Sequence, residues 1–318
     1  MKNNMKLFEL SKDNIELGRQ EVISLTEPKK CELLGNIFVC DDNSGLKLEK
    51  RLGYTNKIYE FLFKSREKDM VGAIDEFNWQ KIYKKSFCVR VKGKNKLEKK
   101  FADLIFDKLK KPKVNLTESG TEIHFFFFDK FVVAGKFVTE VDKSYRKRKA
   151  HLRPRLHPTS MHPKLARACI NLLGSKKGNL LDPFCGSGGI LIEAGLMGFK
   201  ITGYDIDKKQ VERAKVNLKH YKIRKHKLKT KDALLLDKKF DSIVTDFPYG
   251  KGSKGKNLEE LYIKFMKLSY DYTDKMVVVL PNFIDYKKII SKSDWKIKNK
   301  FEIYIHKSLT RIILQLLH

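Results

Sequence analysis

Asp182-Pro183-Phe184-Cys185-Gly186-Ser187-Gly188-Gly189-Ile190 decides how this chain is read. An apolar strand beginning at Leu180 ends in an acid and passes through three glycines into a helical pattern. Glycines at such a bend let the backbone approach a ligand closely and aim a helix N-terminus at it. The dinucleotide fingerprint Gly-x-Gly-x-x-Gly fails, because the position three beyond Gly188 is Leu191. A phosphate loop ending Gly-Lys-Ser/Thr fails too, since Gly250-Lys251 is followed by Gly252.

Outward from that loop, strands are expected at 180–183, 201–205, 226–230, 240–246 and 276–280, with helices near 190–197, 211–220 and 258–270. This alternation specifies an α/β fold, a parallel sheet with helices on both faces. The last two strands, 301–306 and 311–316, are joined by a short loop and so form an antiparallel hairpin. Asp205 ends the strand about 20 residues past the glycines, where doubly wound folds set an acid against ribose hydroxyls. Asp207, with Gln210 three residues on, reads as a helix cap. Asp232 reads equally as an acceptor for an adenine amino group and as a turn aspartate. The 240–246 strand runs into Asp246-Phe247-Pro248-Tyr249-Gly250. An acid at the carboxyl end of a central strand, beside a proline-stiffened turn and an aromatic, is where open α/β sheets put chemistry. A helix cap is the blander role for Asp246, and a plain surface aromatic the blander role for Tyr249.

The first part of the chain has an α+β pattern: strands at 6–10, 32–40, 87–91, 122–128 and 131–138, and helices at 15–25 and 97–109. Asp129-Lys130 is short enough for a hairpin turn. The stretch from Lys143 to Arg155 holds seven Lys or Arg and no acid. It marks a domain boundary, as a solvated linker or as a phosphate-binding segment. Lys219 to Lys231 has the same make-up and the same two readings, and Lys251–Lys256 is basic as well. His162-Pro163 opens a helix, with proline at a first-turn position.

Composition narrows the partners. Sixty-seven basic side chains against 38 acidic ones give +29, a field that attracts polyanions. With 42% hydrophobic and 33% charged residues in 318, the chain is long and apolar enough for folded domains. No stretch approaches the ~18 to 20 apolar residues of a membrane span, and no secretory h-region is present, so a cytoplasmic location without membrane association is expected. Five cysteines with no Cys-x-x-Cys pair argue against disulfides and a zinc site. His151, His157 and His162 lack cysteine or acid partners nearby and read as linker and packing residues, so no metal is expected.

Asp182 through Gly188 followed by Asp-x-Pro-Tyr resembles the class I S-adenosylmethionine-dependent amino-methyltransferases. His151-Leu-Arg153-Pro154, His162 through Ala168, and His306-Lys-Ser-Leu-Thr-Arg311 look like the archaeal tRNA guanosine-10 N(2)-dimethyltransferase family, and Lys85 through Lys92 resembles a THUMP core. The resemblance covers nearly the whole chain. It implies a ferredoxin-like domain at 1–66, a THUMP domain at 67–142, a basic linker at 143–157, and at 158–318 a Rossmann-like methyltransferase domain whose seven-stranded sheet ends in an antiparallel hairpin. It implies methylation of the 2-amino group of a tRNA guanosine, with Asp246, Phe247, Pro248 and Tyr249 catalytic. Asp182, Phe184, Gly186, Gly188, Asp205, Asp232 and His162 would bind S-adenosylmethionine. Arg90, Lys92, Arg146, Lys147, Arg148 and Arg153 would bind RNA. A monomer without an obligatory protein partner is expected. Another tRNA guanosine, rRNA, DNA, or an inactive RNA-binding role are the alternatives. Phe247 stands where the family usually has proline, keeping the backbone carbonyl but losing the fixed φ.

Overall fold

The computed structural model describes residues 4–156, 160–250 and 255–318. His157 and most of the basic segment 251–256 lie outside them. The chain forms two compact units, Met1–Lys12, Thr26–Gly45 and Thr55–Val141 in one, and Asp13–Leu25, Leu46–Tyr54 and Asp142–His318 in the other.

The first unit holds β1 (Met5–Leu10), β2 (Cys31–Leu34), β3 (Ile37–Asp41), β4 (Thr55–Arg66), α2 (Met70–Glu76), β5 (Phe87–Lys92), α3 (Leu97–Phe106), β6 (Thr121–Phe127) and β7 (Phe131–Glu140). Its sheet runs β2-β3-β1-β4-β7-β6-β5, so one continuous sheet crosses the boundary expected at 66/67. The single strand expected at 32–40 is a hairpin, broken at Gly35, whose φ of 55° suits the turn. β4 escapes the sequence pattern because it carries an extra residue twice, Asn56 against β1 and Leu62 against β7, and each exchanges the faces that the following side chains occupy. Trp79, Phe87, Phe101, Ile105 and Phe125 fill the core under α2 and α3. The turn at Asp129-Lys130 is as expected, closed by paired backbone bonds between Phe128 and Phe131.

The second unit holds α1 (Ile15–Thr26, of which residues up to Leu25 belong here), α4 (Pro163–Leu172), β8 (Asn179–Asp182), α5 (Gly189–Leu196), β9 (Lys200–Asp205), α6 (Lys208–His220), β10 (His226–Thr230), β11 (Ser242–Asp246), α7 (Gly255–Tyr270), β12 (Lys275–Pro281), α8 (Tyr286–Ser291), β13 (Lys296–His306) and β14 (Leu309–Leu317). The sheet order β10-β9-β8-β11-β12-β14-β13 gives five parallel strands and an antiparallel hairpin, the α/β architecture expected. Two apolar clusters flank it, one including Leu165, Ile190 and Leu218, the other Phe240, Phe265 and Trp295. The order reverses between β8 and β11, and ligands of open α/β sheets bind outside the strand ends at such a point.

The basic stretch after Lys143 is solvated only in part. Arg148 and Arg153 are buried within the second unit. Arg148 forks onto Glu193 of α5 at 2.7 and 2.9 Å, while Arg153 donates to the Arg148 carbonyl at 2.8 Å and to Ser160 at 2.7 Å. Pairing Arg148 with an acid that is itself fully buried takes one charge out of the run, while Arg146, Lys147 and Arg155 stay exposed. A second buried network ties in the N-terminal segments: Glu21 accepts from the backbone of Gly53 and Tyr54 and from Asn171, at 2.7, 2.8 and 2.7 Å. Arg51 in turn donates to Asn171 at 3.1 Å. No helix among the described residues is long and apolar enough to cross a membrane.

Candidate active site

Four acids stand at or just past the carboxyl ends of neighbouring parallel strands, Asp232 after β10, Asp205 on β9, Asp182 on β8 and Asp246 on β11. At ~4.8 Å per strand the row spans roughly 14 Å. Asp182 is buried, and its Oδ1 accepts from the Thr245 hydroxyl at 2.8 Å and the Phe184 amide at 3.3 Å. Burial pushes its carboxyl up to about 8, against those two hydrogen bonds.

The loop after Asp182 is shaped by two left-handed glycines. Gly186 has φ 49° and donates its amide to Asp205 Oδ2 at 2.8 Å, with open space where a Cβ would stand. Gly188, φ 84°, precedes α5, and a Cβ there would lie 3.2 Å from Ala214. Asp205 also receives the Asp207 amide at 2.9 Å, so its carboxylate is aimed by the loop on one side and the next turn on the other. Beside it Ile206 is 76% exposed, an apolar surface with nothing packed on it except solvent. Asp232 receives the Leu234 amide at 2.9 Å, the turn role, and its side chain stays partly exposed. Asp207 caps α6 as expected, accepting from Lys209 at 2.8 Å. The expected basic strap adjoins the same loop: Asn217 holds the Arg155 backbone at 3.0 and 2.9 Å and the Ser187 carbonyl at 3.0 Å. The donor set fits a nucleoside cofactor: open room at Gly186, carboxylates for hydroxyl and amino groups, and an apolar flank. Asp182, Phe184, Gly186, Gly188, Asp205 and Asp232 stand at the carboxyl ends of β8, β9 and β10 or in the loops that follow them. His162 is placed differently, exposed at the start of α4, where its Nδ1 accepts from the Lys164 amide at 3.2 Å.

At the end of β11 the chain turns through Phe247 and Pro248. Asp246 keeps 16% side-chain exposure. Its Oδ1 accepts from the Tyr249 hydroxyl at 2.6 Å, and its Oδ2 lies 3.1 Å from Arg311 Nη2. The Tyr249 hydroxyl accepts from Arg311 Nε at 2.9 Å. Burial raises the Asp246 carboxyl, opposed by the Arg311 charge and the tyrosine hydrogen bond. Phe247 turns its ring into the core, 4.3 Å from the Tyr262 ring and 5.3 Å from that of Phe184. Its amide donates to Val279 at 3.0 Å, and the Pro248 carbonyl accepts from the Tyr262 hydroxyl. Arg311 was absent from the residues expected at the site, although the quoted hairpin motif ends on it. Of the expected RNA contacts, Lys92, Arg146 and Lys147 are exposed and Arg90 half-buried, whereas Arg148 and Arg153 are committed to internal pairs and present no face to a phosphate.

The chain matches the RMKL-like methyltransferase domain family over residues 150–311 and a DNA methylase family over 21–216. It is 35% identical over 281 residues to the tRNA (guanine(10)-N2)-dimethyltransferase of Methanothermobacter thermautotrophicus, covering 84% of this chain and 83% of that one. Against the enzyme of the same name from Pyrococcus abyssi it is 30% identical over 315 residues, covering 93% and 94%. Among solved structures, TrmN from Thermus thermophilus superposes with a TM-score of 0.53 at 17% identity, over 99% of this chain and 100% of that one. A possible methylase from Clostridium difficile gives 0.52 at 18%, over 99% and 98%. These two likenesses bear on the fold alone.

Proposed function

The chain belongs to the tRNA (guanine(10)-N2)-dimethyltransferase family, and from that premise we propose that it methylates the exocyclic 2-amino group of guanosine 10 in tRNA, using S-adenosylmethionine. The observation that carries the reading is Asp246, a mostly buried acid at the switch point, one strand from the glycine loop.

The guanine 2-amino group is a poor nucleophile, because its lone pair is delocalised into the ring. When bound, S-adenosylmethionine supplies a methyl group made electrophilic by the sulfonium. Asp182, Phe184, Gly186, Gly188, Asp205 and Asp232 hold the cofactor in this reading. Asp246 and the Phe247 carbonyl accept the two amine hydrogens, drawing electron density back to nitrogen and stabilising its developing positive charge. Tyr249 packs on the base and fixes its distance from the methyl donor. Methyl transfer to nitrogen would break the methyl–sulfur bond and leave the donor as its neutral thioether, and Asp246 is placed to take the proton that the methylated amine sheds. Residues 67–142 serve as the THUMP-like RNA-binding part, with Lys92 on a phosphate, and Arg146 and Lys147 of the basic stretch after Lys143 contact phosphates too; their exposure and the +29 charge support this. Action as a monomer, in the cytoplasm where tRNA is met, is part of the same proposal.

Mass spectrometry of nucleosides from tRNA incubated with the protein and S-adenosylmethionine tests the reading. N2-methylated guanosine at position 10 is expected, and its loss in Asp246→Ala. An alanine variant methylating at the wild-type rate sinks the catalytic assignment. The DNA methylase match gives a second reading, methylation of a DNA amine, which a competition between tRNA and duplex DNA decides.

A further inference from the structure

Arg311 reaches the site from β14, which runs antiparallel to β12, and stands opposite Pro281 in register. It is 5% exposed, so it serves neither the surface nor the field that attracts RNA. Two of its nitrogens are spent on the two side chains that the proposed chemistry needs. Nη2 lies 3.1 Å from Asp246 Oδ2, and Nε donates to the Tyr249 hydroxyl at 2.9 Å. The hydroxyl then donates to Asp246 Oδ1 at 2.6 Å, closing a ring of three contacts. A planar fork suits this geometry, and a lysine ammonium, a single point charge, does not.

The charge balance around Asp246 gives Arg311 its weight. Among the described residues, the titratable groups that face the carboxylate are Asp182 on β8, Cys169 on α4, Tyr262 on α7, Tyr249 on the turn and Arg311 on β14. Arg311 alone among them is a cation. Without it, burial favours the neutral acid, and a protonated Asp246 is a poor acceptor for an amine hydrogen.

We propose that Arg311 is a positioning residue of the methyl-transfer centre, clamping the Oδ2 edge of Asp246 and the Tyr249 hydroxyl so that Oδ1 is the edge passed from the phenol to the guanine amine. This rests on Asp246 being the acceptor for that amine. Arg311 acts through those two side chains, so its loss acts on turnover and leaves cofactor affinity alone.

The test compares kcat for tRNA methylation across pH in wild type, Arg311→Gln, Arg311→Lys and Asp246→Ala, with S-adenosylhomocysteine binding measured by calorimetry for each. Arg311→Gln should lower kcat near neutral pH by about 100-fold, the order seen when one preorganised donor is removed. Its acid limb should move to higher pH, because Asp246 then takes up its proton more readily. Arg311→Lys should recover roughly tenfold of that loss and return the limb partway, since it restores charge without the fork. Cofactor-product affinity should stay within about threefold throughout. Wild-type kcat and acid limb in Arg311→Gln, with Asp246→Ala inactive, overturn the proposal. So do lysine and glutamine variants equally slow with unmoved limbs, the mark of a purely structural residue. If Arg311→Gln fails to bind S-adenosylhomocysteine, Arg311→Lys decides: reduced kcat with a partly moved limb supports the proposal, and wild-type behaviour overturns it. An active Asp246→Ala would instead remove the reading on which the proposal rests.

Discussion

Replacing Phe247 by proline, the residue usual at this position in the amino-methyltransferases the motif resembles, should damage this protein. The ring is 2% exposed and packed between Tyr262, Phe184 and Phe265, with centroids at 4.3, 5.3 and 5.6 Å. Losing a buried phenylalanine side chain costs about 3–5 kcal/mol, and the smaller proline ring recovers part of that. The amide of Phe247 donates to Val279 at 3.0 Å, and proline has no hydrogen to give, so the Val279 carbonyl is left without its partner at a cost of about 1 kcal/mol or more. Against this, proline restricts the unfolded chain, a gain of roughly 0.4–1 kcal/mol. The balance is a loss of about 4 kcal/mol. For a domain of this size each kcal/mol moves Tm by roughly 2–4 °C, so Phe247→Pro should melt roughly 8–16 °C below wild type. Thermal unfolding followed by circular dichroism measures it, with Phe247→Leu as the control that keeps the amide hydrogen. At a temperature where the variant is folded, kcat should stay within tenfold of wild type, because the position 247 carbonyl survives. A Tm within about 3 °C of wild type would refute the reasoning: the aromatic box would then be ornamental, and this turn would accept the usual proline unchanged.

Three further outcomes follow from the buried charges and the basic surface. Glu193→Ala strands the buried Arg148 and Arg167, and should cost about 3–5 kcal/mol in a chemical denaturation experiment; a loss under 1 kcal/mol contradicts the pairing. Asp182 holds its proton up to about 8 in the fold, against about 3.9 when unfolded, so the native state binds the extra proton between those values and stability falls as pH rises through that window. Asp182→Asn keeps the oxygen for Thr245 and Phe184, and should unfold like wild type near pH 4 but at higher temperature near pH 8 when cofactor-free; parallel profiles count against the shift. Arg146→Ala and Lys147→Ala should each reduce the slope of log Kd for tRNA against log salt by about 0.7–0.9 while leaving S-adenosylmethionine affinity unchanged, and an unaltered slope removes them from the RNA surface.

What the sequence reveals of this molecule is local, and what it hides is paired across distance. The glycine loop, Asp205 and Asp246-Phe247-Pro248-Tyr249 each carry their signal within a few residues, because a strand end, a bend and a helix start are written consecutively. Arg311 carries no such signal: it meets Tyr249 from 62 positions away, through the register of an antiparallel strand. β4 is hidden by its two bulged residues, Asn56 and Leu62, which break the period-2 alternation that marks a half-buried strand. The segment from Lys143 to Arg155 is legible only in part, for the opposite reason. Its charge run is real, but charge runs are read as solvated only while their partners are out of sight, and Glu193 lies 45 positions beyond Arg148.

The net charge of +29 divides along chemical lines. Among the described residues no lysine is buried, whereas Arg51, Arg148, Arg153, Arg167 and Arg311 all are. An ammonium holds its hydration tightly and cannot satisfy several acceptors in a plane, so burying it is costly. A guanidinium is weakly hydrated, and its fork reaches two or more oxygens at once. The lysines, with exposed arginines such as Arg146, are thus left to set the long-range field for a polyanion, which salt screens within about 10 Å at 0.1 M. The buried arginines work at contact distance, where salt does not reach. Arg148 and Arg167 hold Glu193, Arg51 bonds Asn171 in the Glu21 network, and Arg311 holds the acid proposed to do the chemistry. Raising ionic strength should therefore separate the two groups in one titration of turnover: KM for tRNA climbs as the lysine field is screened, while kcat at saturating tRNA stays level. A kcat that fell in step with rising KM would mean that the Arg311–Asp246 pair is open to solvent, and that the division between field and clamp is wrong.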